Sequence, residues 1–310
     1  MRFAVIDIGS NTIKMTVSDV TAGEKPVNIM TETVTAGLIF YISDNLLSDP
    51  GAARLIEVLS GFGSLAKRLS VDKLWCTATA SLRNLKNTDD IVRLVAEHTG
   101  IKLEIISWEQ EAYYSFNGLC ASVDPPPRRG VMIDMGGGST ELLGFIDGLA
   151  VRTGTLPFGC LSLFHDFVSG ILPTDKECRA IRKRVKAACE PMSWLEGWGD
   201  TVYLVGGTAR ALASLHDAIY STGRPVNGYT MTADEAAATF KYFRDADKER
   251  ISLLTRLVPD RLHTIIPGLC AYRRLISIIG ASNVVIALGG LREGYLAERL
   301  AEAKDNGELA

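Results

Sequence analysis

None of the six cysteines, at positions 76, 120, 160, 178, 189 and 270, forms a C-x-x-C pair. That absence excludes zinc-ribbon and dithiol-redox frameworks and fits buried thiols in a reducing compartment. Histidine is scarce: the four residues, 98, 165, 216 and 263, show no ligand spacing and read as structural or surface groups. Neither a G-x-S-x-G turn nor a Cys/His arrangement is present to supply a covalent nucleophile. Long apolar runs are missing too, so no segment reads as a membrane span and no membrane partner is expected. Met1 leads straight into a strand-like run, without a basic region or secretory apolar core, which predicts a cytoplasmic protein. Positive charge is not in excess: 33 Lys and Arg against 36 Asp and Glu give a net charge of −3. That balance argues against a nucleic-acid partner, and "RAIRKRVK" at 179–186 reads as a solvated helix face. An anionic small-molecule substrate stays open, because a few local basic groups suffice to hold one.

What is present is an alternation of strand-like and helical patterns. Strands are predicted at 2–7, 12–20, 72–77, 103–106, 131–134, 140–147, 202–205 and 283–287. Helices are predicted at 51–70, 88–98, 109–122, 175–190, 208–219, 233–244, 261–280 and 291–303. Interleaving of this kind predicts an α/β fold, with mainly parallel or mixed sheets covered by helices. At 310 residues the chain exceeds one comfortable core. The three prolines of "DPPPRRG", Asp124–Gly130, cannot continue a helix or open a central strand, so the hinge is placed there. The expected domains are 1–126 and 127–295, with a final helix, 296–310, returning to the first.

Two glycine turns stand out. "VMIDMGGGSTELLGF" runs from Val131 to Phe145, and "FAVIDIGSNTIKMTV" repeats its pattern from Phe3 to Val17. Each turn is followed by another strand-like run, which separates it from the strand–turn–helix loops of Rossmann and Walker motifs. Bare backbone lets several N–H groups converge on an anion, and Ser10, Asn11, Gly136, Gly137, Gly138 and Ser139 are the expected phosphate cradle. Asp134 and Glu141 bring negative charge to the same loop. A phosphate there would be repelled unless a cation such as Mg²⁺ sat between, so these two and Asp7 are the candidate metal carboxylates. A tight hairpin with glycines at positive φ is the bland alternative. Two similar halves, each opening on such a turn, suggest a duplicated fold closing on an interdomain cleft.

Seven blocks occur in a telling order: "DIGSNT" at 7–12, "ATASLR" at 78–83, "ISWEQEA" at 106–112, "DMGGGSTE" at 134–141, "LPFG" at 156–159, "VGGTA" at 205–209 and "GGLREG" at 289–294. Together they resemble the Ppx/GppA family of exopolyphosphatases and guanosine pentaphosphate phosphatases, within the actin, sugar-kinase and heat-shock-chaperone superfamily. The resemblance spans nearly the whole chain. It implies two ribonuclease-H-like (actin-like ATPase) domains, Mg²⁺ as cofactor, a homodimer, and polyphosphate or guanosine pentaphosphate as substrate. By motif it places Glu111 as the base that activates water, and a carboxylate at a helix start beside phosphate suits that task. Glu109 reads instead as an acid favoured by the helix dipole. Arg83 matches the family's Ala-Thr-x-x-x-Arg block, where a guanidinium fork suits charge developing in phosphoryl transfer.

The sequence departs from the family at Tyr113, which follows Glu-Ala in place of arginine, at Leu288 before "GGLREG", and at 35–45. The last reads "TAGLIFYISDN" without the usual basic and acidic residues. The chain also stops near residue 310, where long members continue into further helical domains. The reading is a Mg²⁺-dependent exopolyphosphatase acting on short chains, with guanosine pentaphosphate second. Its rivals are an ATP-dependent kinase of the same superfamily and a non-catalytic alarmone or nucleotide sensor.

Overall fold

A computed structural model of the chain describes residues 1–21 and 23–306. Cα proximity divides it into two compact units, Met1–Glu111 with the chain from Tyr295 onward, and Ala112–Gly294.

The first unit opens with β1 (Arg2–Ile8), β2 (Thr12–Asp19) and β3 (Val27–Thr35), followed by a small hairpin, β4 (Ile42–Ser43) and β5 (Leu46–Leu47). Helix α1 (Asp49–Arg68), β6 (Lys73–Ala78), the single turn α2 (Ala80–Arg83), α3 (Thr88–Thr99), β7 (Leu103–Ile105) and α4 (Trp108–Ser122) come next. The sheet order is β3-β2-β1-β6-β7, antiparallel from β3 to β1 and parallel from β1 to β7. Phe3 to Ile6 are buried in succession, as a central strand covered on both faces requires. Leu55, Leu59 and Phe62 of α1 repeat at helical spacing and are buried with Ile6, Ile8 and Val95 in one core cluster.

The second unit repeats the plan. It contains β8 (Arg129–Met135), β9 (Thr140–Ile146), β10 (Leu149–Leu156), α5 (Cys160–Phe167), α6 (Asp175–Cys189), β11 (Thr201–Val205) and α7 (Gly207–Tyr220). It closes with β12 (Tyr229–Thr232), α8 (Ala233–Arg244), α9 (Lys248–Leu257), α10 (Ile265–Ile279), β13 (Asn283–Ile286) and the start of α11 (Leu291–Asp305). The order β10-β9-β8-β11-β13 has the same antiparallel-then-parallel pattern, and β12 adds an antiparallel edge. Both units therefore have ribonuclease-H-like sheet topology. No helix among the described residues is long and apolar enough to cross a membrane.

One boundary between the two units is placed by packing. It falls inside α4, between Glu111 and Ala112, because Ala112, Phe116 and Leu119 bury their side chains with Met132, Leu143, Phe145, Val205 and Ala287. A Cβ on Gly118 of α4 would overlap the Gly290 backbone, and one on Gly294 would overlap the Tyr114 carbonyl. The glycines of "GGLREG" thus permit α4 and α11 to cross at backbone distance. The proline run instead links α4 to β8 within one unit. Strands β3 and β10 were not predicted. Both are edge strands, exposed along most of their length, so they lack the buried apolar signal that marks their neighbours.

Candidate active site

In the first unit the chain leaves β1 at Ile8 and turns at once. The Gly9 N–H donates to the Thr12 carbonyl at 3.1 Å, the distance a Cβ on Gly9 would also have to that oxygen. The carbonyls of the turn are taken from behind: Asn11 accepts from the N–H groups of Ala36 (2.9 Å) and Gly37 (2.8 Å), and Ser10 from that of Ile39 (3.0 Å). With its carbonyls engaged, this turn is held in one conformation. Asp7 pairs across the strands with Lys14 on β2 and with Thr77 on β6, so an opposite charge stands across from it.

The end of β1 also docks the helix that carries Arg83. Ser81 donates its hydroxyl to the Ile8 carbonyl at 2.8 Å. From α2, Arg83 donates through Nη1 to Glu111 Oε2 at 2.8 Å and to the Ile106 carbonyl at 3.2 Å. The side chains of this pair are only 14% and 10% exposed. Glu111 is placed by a reciprocal cap: the Ser107 N–H donates to Gln110 Oε1 (2.8 Å) and the Gln110 N–H to Ser107 Oγ (3.2 Å). The S-x-x-Q of "SWEQ" was a readable signal for that start. Glu109 is exposed, as an acid serving the helix dipole would be.

In the second unit the triple-glycine turn closes with the Gly136 N–H donating to the Ser139 carbonyl at 3.0 Å. None of Gly136, Gly137 and Gly138 has positive φ, so conformational strain does not explain them. The start of the next helix closes on this turn. The N–H groups of Cys160, Leu161 and Ser162 at the start of α5 donate to the carbonyls of Gly136 and Gly137, each at 3.0 Å. A Cβ on Gly159 would overlap those same peptides, which is what the glycine of "LPFG" avoids. Ser139 is buried.

The acids lie just beside this turn. Strand register sets Asp134 of β8 opposite Glu141 of β9, and Glu141 is 1% exposed. Glu141 accepts from Thr155 at 3.4 Å, and Asp134 from Ser115 at 2.5 Å. Like charges directly opposite in an antiparallel pair destabilise it, and a cation relieves this. One or two carboxylates with the remaining ligands from water and phosphate is the usual Mg²⁺ arrangement, so the donor set fits that ion. Among the described residues no group of three His, Cys, Asp or Glu is placed to hold a metal, and Asp7 belongs to the other unit from Asp134 and Glu141. In its own sheet Asp7 stands opposite Lys14.

Sequence reasoning missed three arginines of the second unit. Burial lowers the pKa of Arg210 on α7, and the charges of Arg261 and Arg292 add to the shift, while Glu293 and Asp134 oppose it. Arg292 Nε is buried without a hydrogen-bond partner. The guanidinium of Arg261 covers Gly207, where a Cβ would overlap it, and borders a cavity of about 220 Å³ with Gly207, Arg210, Ser214, Val258 and Pro259. Three clustered cations beside a helix start favour an anion. "GGTAR" and the arginine of "GGLREG" each carried one of them, but the three are 51 and 31 residues apart in sequence, from 210 to 261 and from 261 to 292, so their grouping was not readable.

Of the departures, Tyr113 and Leu288 are exposed side chains, at 45% and 42%, so neither substitution disturbs a core.

A ribonuclease-H-like unit repeated twice, with a strand–turn–strand loop rich in small residues after each first strand, defines a protein of the actin-like ATPase fold class. The chain belongs to the Ppx/GppA phosphatase family, whose sequence model matches residues 16–303. Exopolyphosphatase 1 of Mycobacterium tuberculosis (strain ATCC 25618 / H37Rv) is 26% identical over 313 residues, covering 100% of this chain and 91% of the relative. A putative exopolyphosphatase of Haemophilus influenzae is 25% identical, over 95% of this chain and 90% of its own. The crystal structure of the Aquifex aeolicus Ppx/GppA family member is 25% identical, covers 97% of this chain and 98% of that one, and superposes with a TM-score of 0.81. An exopolyphosphatase structure from Cytophaga hutchinsonii, 17% identical over 97% of this chain and 98% of its own, shares the fold with a TM-score of 0.87.

Proposed function

We propose that this protein is a cytoplasmic Mg²⁺-dependent exopolyphosphatase that hydrolyses the terminal phosphoanhydride bond of short inorganic polyphosphates, with guanosine pentaphosphate as a second substrate. The observation that carries the reading is the buried Arg83–Glu111 pair at the capped start of α4. Glu111 accepts the proton of the attacking water, and Arg83 fixes its carboxylate so that one oxygen keeps its orientation while the other works. The N–H groups and hydroxyls of the two turns, Ser10 and Asn11 in one and Gly136 to Ser139 in the other, bind phosphoryl oxygens. Arg210, Arg261 and Arg292 hold phosphates further along the substrate. Asp134 and Glu141 would hold Mg²⁺, which supplies charge compensation for the phosphoryl group when bound.

Two observations favour hydrolysis of short chains. The Arg261 guanidinium covers Gly207 in the "GGTA" turn, where nucleotide-binding relatives of the superfamily would place adenosine, which counts against the kinase reading. Residues 33–43 carry no charge, and Phe40 is 63% exposed there, so this segment offers no basic track for a long polyanion. Exposed Leu149 and Val151 on edge strand β10 are consistent with a homodimer. The test is phosphate release from tripolyphosphate, long polyphosphate, guanosine pentaphosphate and ATP, with and without Mg²⁺. Release from tripolyphosphate that requires Mg²⁺ is expected; phosphate transfer from ATP to an acceptor, or binding without turnover, would replace the reading.

A further inference from the structure

Asp134 is bonded by one residue and closely approached by another, neither of which has yet been assigned a role. On α4, Ser115 donates its hydroxyl to Asp134 Oδ2 at 2.5 Å, and Ser115 is 0% exposed. From the other side comes Gly206, in the turn between β11 and α7, with φ 94° and ψ −173°. A Cβ at Gly206 would stand 3.1 Å from Asp134 Oδ1. That backbone conformation is essentially open to glycine alone, so the approach to the carboxylate is built into the turn.

We propose that Ser115, with Gly206 as its counterpart, is a positioning residue that fixes the orientation of the Asp134 carboxylate at the phosphate turn. This rests on reading Asp134 as a working carboxylate. The neighbours of Ser115 on α4 explain why its hydroxyl is notable. Ala112, Phe116 and Leu119 form an apolar cluster with Met132, Leu143 and Phe145, where a hydroxyl has no packing role and costs free energy unless bonded. A serine inside a helix commonly bonds back to the carbonyl one turn earlier. Ser115 instead spends its proton on a carboxylate, in the short, charge-assisted form that is roughly twice as strong as a neutral bond. A carboxylate turns easily about its last side-chain torsion, which is broad and roughly two-fold. The bond from Ser115 to one oxygen restricts that freedom, and Gly206 leaves room for the other oxygen that a Cβ would crowd. Ser115 also lies one turn beyond Glu111 on the same helix.

The experiment compares Ser115→Ala, Ser115→Cys and Ser115→Thr in the full chain, each also combined with Asp134→Ala. It measures kcat and KM on tripolyphosphate, and Mn²⁺ affinity at equilibrium by electron paramagnetic resonance. Partners that orient ligating carboxylates are worth about 10–100-fold, so Ala and Cys should lower kcat or Mn²⁺ affinity by that factor while KM stays within about two-fold. Thr keeps the hydroxyl and should recover most of the loss. In the Asp134→Ala background Ser115→Ala should have no further effect, because the partner is gone. A Cys variant as good as wild type would show that shape alone matters and overturn the proposal, as would losses that add in full to Asp134→Ala. A fully active Asp134→Ala enzyme would sink both this inference and the role of Asp134. An inactive Asp134→Ala beside an unaffected Ser115→Ala would sink this inference alone.

Discussion

Replacing Glu111 with glutamine changes one property and leaves the others nearly intact. The amide oxygen can still accept from Arg83 Nη1, which donates to Glu111 Oε2 at 2.8 Å, and the Ser107–Gln110 cap is untouched. What is lost is the ability to take a proton from water at neutral pH. General-base catalysis is worth about 10²–10⁴-fold, or roughly 3–5 kcal/mol of barrier, so kcat should fall by that factor with KM little changed. Stability should drop by only about 1 kcal/mol, the difference between a charged and a neutral acceptor for Arg83. Glu111→Ala is the control. It leaves a guanidinium that is 14% exposed with the Ile106 carbonyl as its remaining acceptor, and removing one partner of a buried pair costs about 3–5 kcal/mol. Single-turnover phosphate release and urea unfolding measure the two quantities separately. A glutamine variant within a few-fold of the wild-type rate would refute the assignment of the base. Equal destabilisation by Gln and Ala would refute the account of the pair.

Gly137→Val puts a β-branched side chain into the phosphate turn, so KM should rise by more than about ten-fold while the melting temperature changes little; a low-melting variant with normal KM in the cold would make the turn a mere hairpin. Asp134→Ala should raise the Mg²⁺ concentration for half-maximal rate by about ten-fold or abolish the response, and an unchanged Mg²⁺ titration would move the metal to Glu141 or Asp7. Gly159→Ala places a Cβ on the Gly136 and Gly137 peptides and should cost about 1–3 kcal/mol with a raised KM; wild-type stability and KM together would contradict that packing. Burial lowers the pKa of His216, whose Nδ1 lies 2.8 Å from the Tyr229 hydroxyl, so the unfolded chain takes up the proton first. Stability is therefore lost as pH falls through the ordinary histidine value of about 6.5, and His216→Gln should flatten the urea midpoint between about pH 7.5 and 5.5, where an unchanged slope would contradict this.

The sequence was most informative where one residue's neighbours in the chain are also its neighbours in space. The buried runs of β1 and β8, the turns after them and the first turn of α4 were all legible, because strand burial, turn chemistry and capping are local. The candidates Glu111 and Asp134 stand on such local features, a capped helix start and the end of a buried strand. The edge strands β3 and β10 were missed because their exposed faces carry no alternation. Three prolines mark a loop in the sequence, whereas which core receives Ala112, Phe116 and Leu119 is set by packing that leaves no local signal. Contacts that depend on the assembled sheet left no local trace. Nothing near Gly159 announces that its bare Cα faces the Gly136 and Gly137 peptides, and nothing near Ser115 announces a bond to a carboxylate nineteen residues away. Arg210, Arg261 and Arg292 converge only once α7, the segment before α10 and the start of α11 are packed together.

Isotope transfer from solvent tests the central claim most directly. Tripolyphosphate is hydrolysed in ¹⁸O-labelled water with Mg²⁺, and the released orthophosphate is weighed by mass spectrometry. The account predicts one solvent oxygen in each orthophosphate formed from the chain end, pyrophosphate as the other first product, and loss of this labelling rate in Glu111→Gln by about 10²-fold or more. Orthophosphate without solvent oxygen, or no orthophosphate from any polyphosphate while ATP phosphorylates an added acceptor, would contradict it.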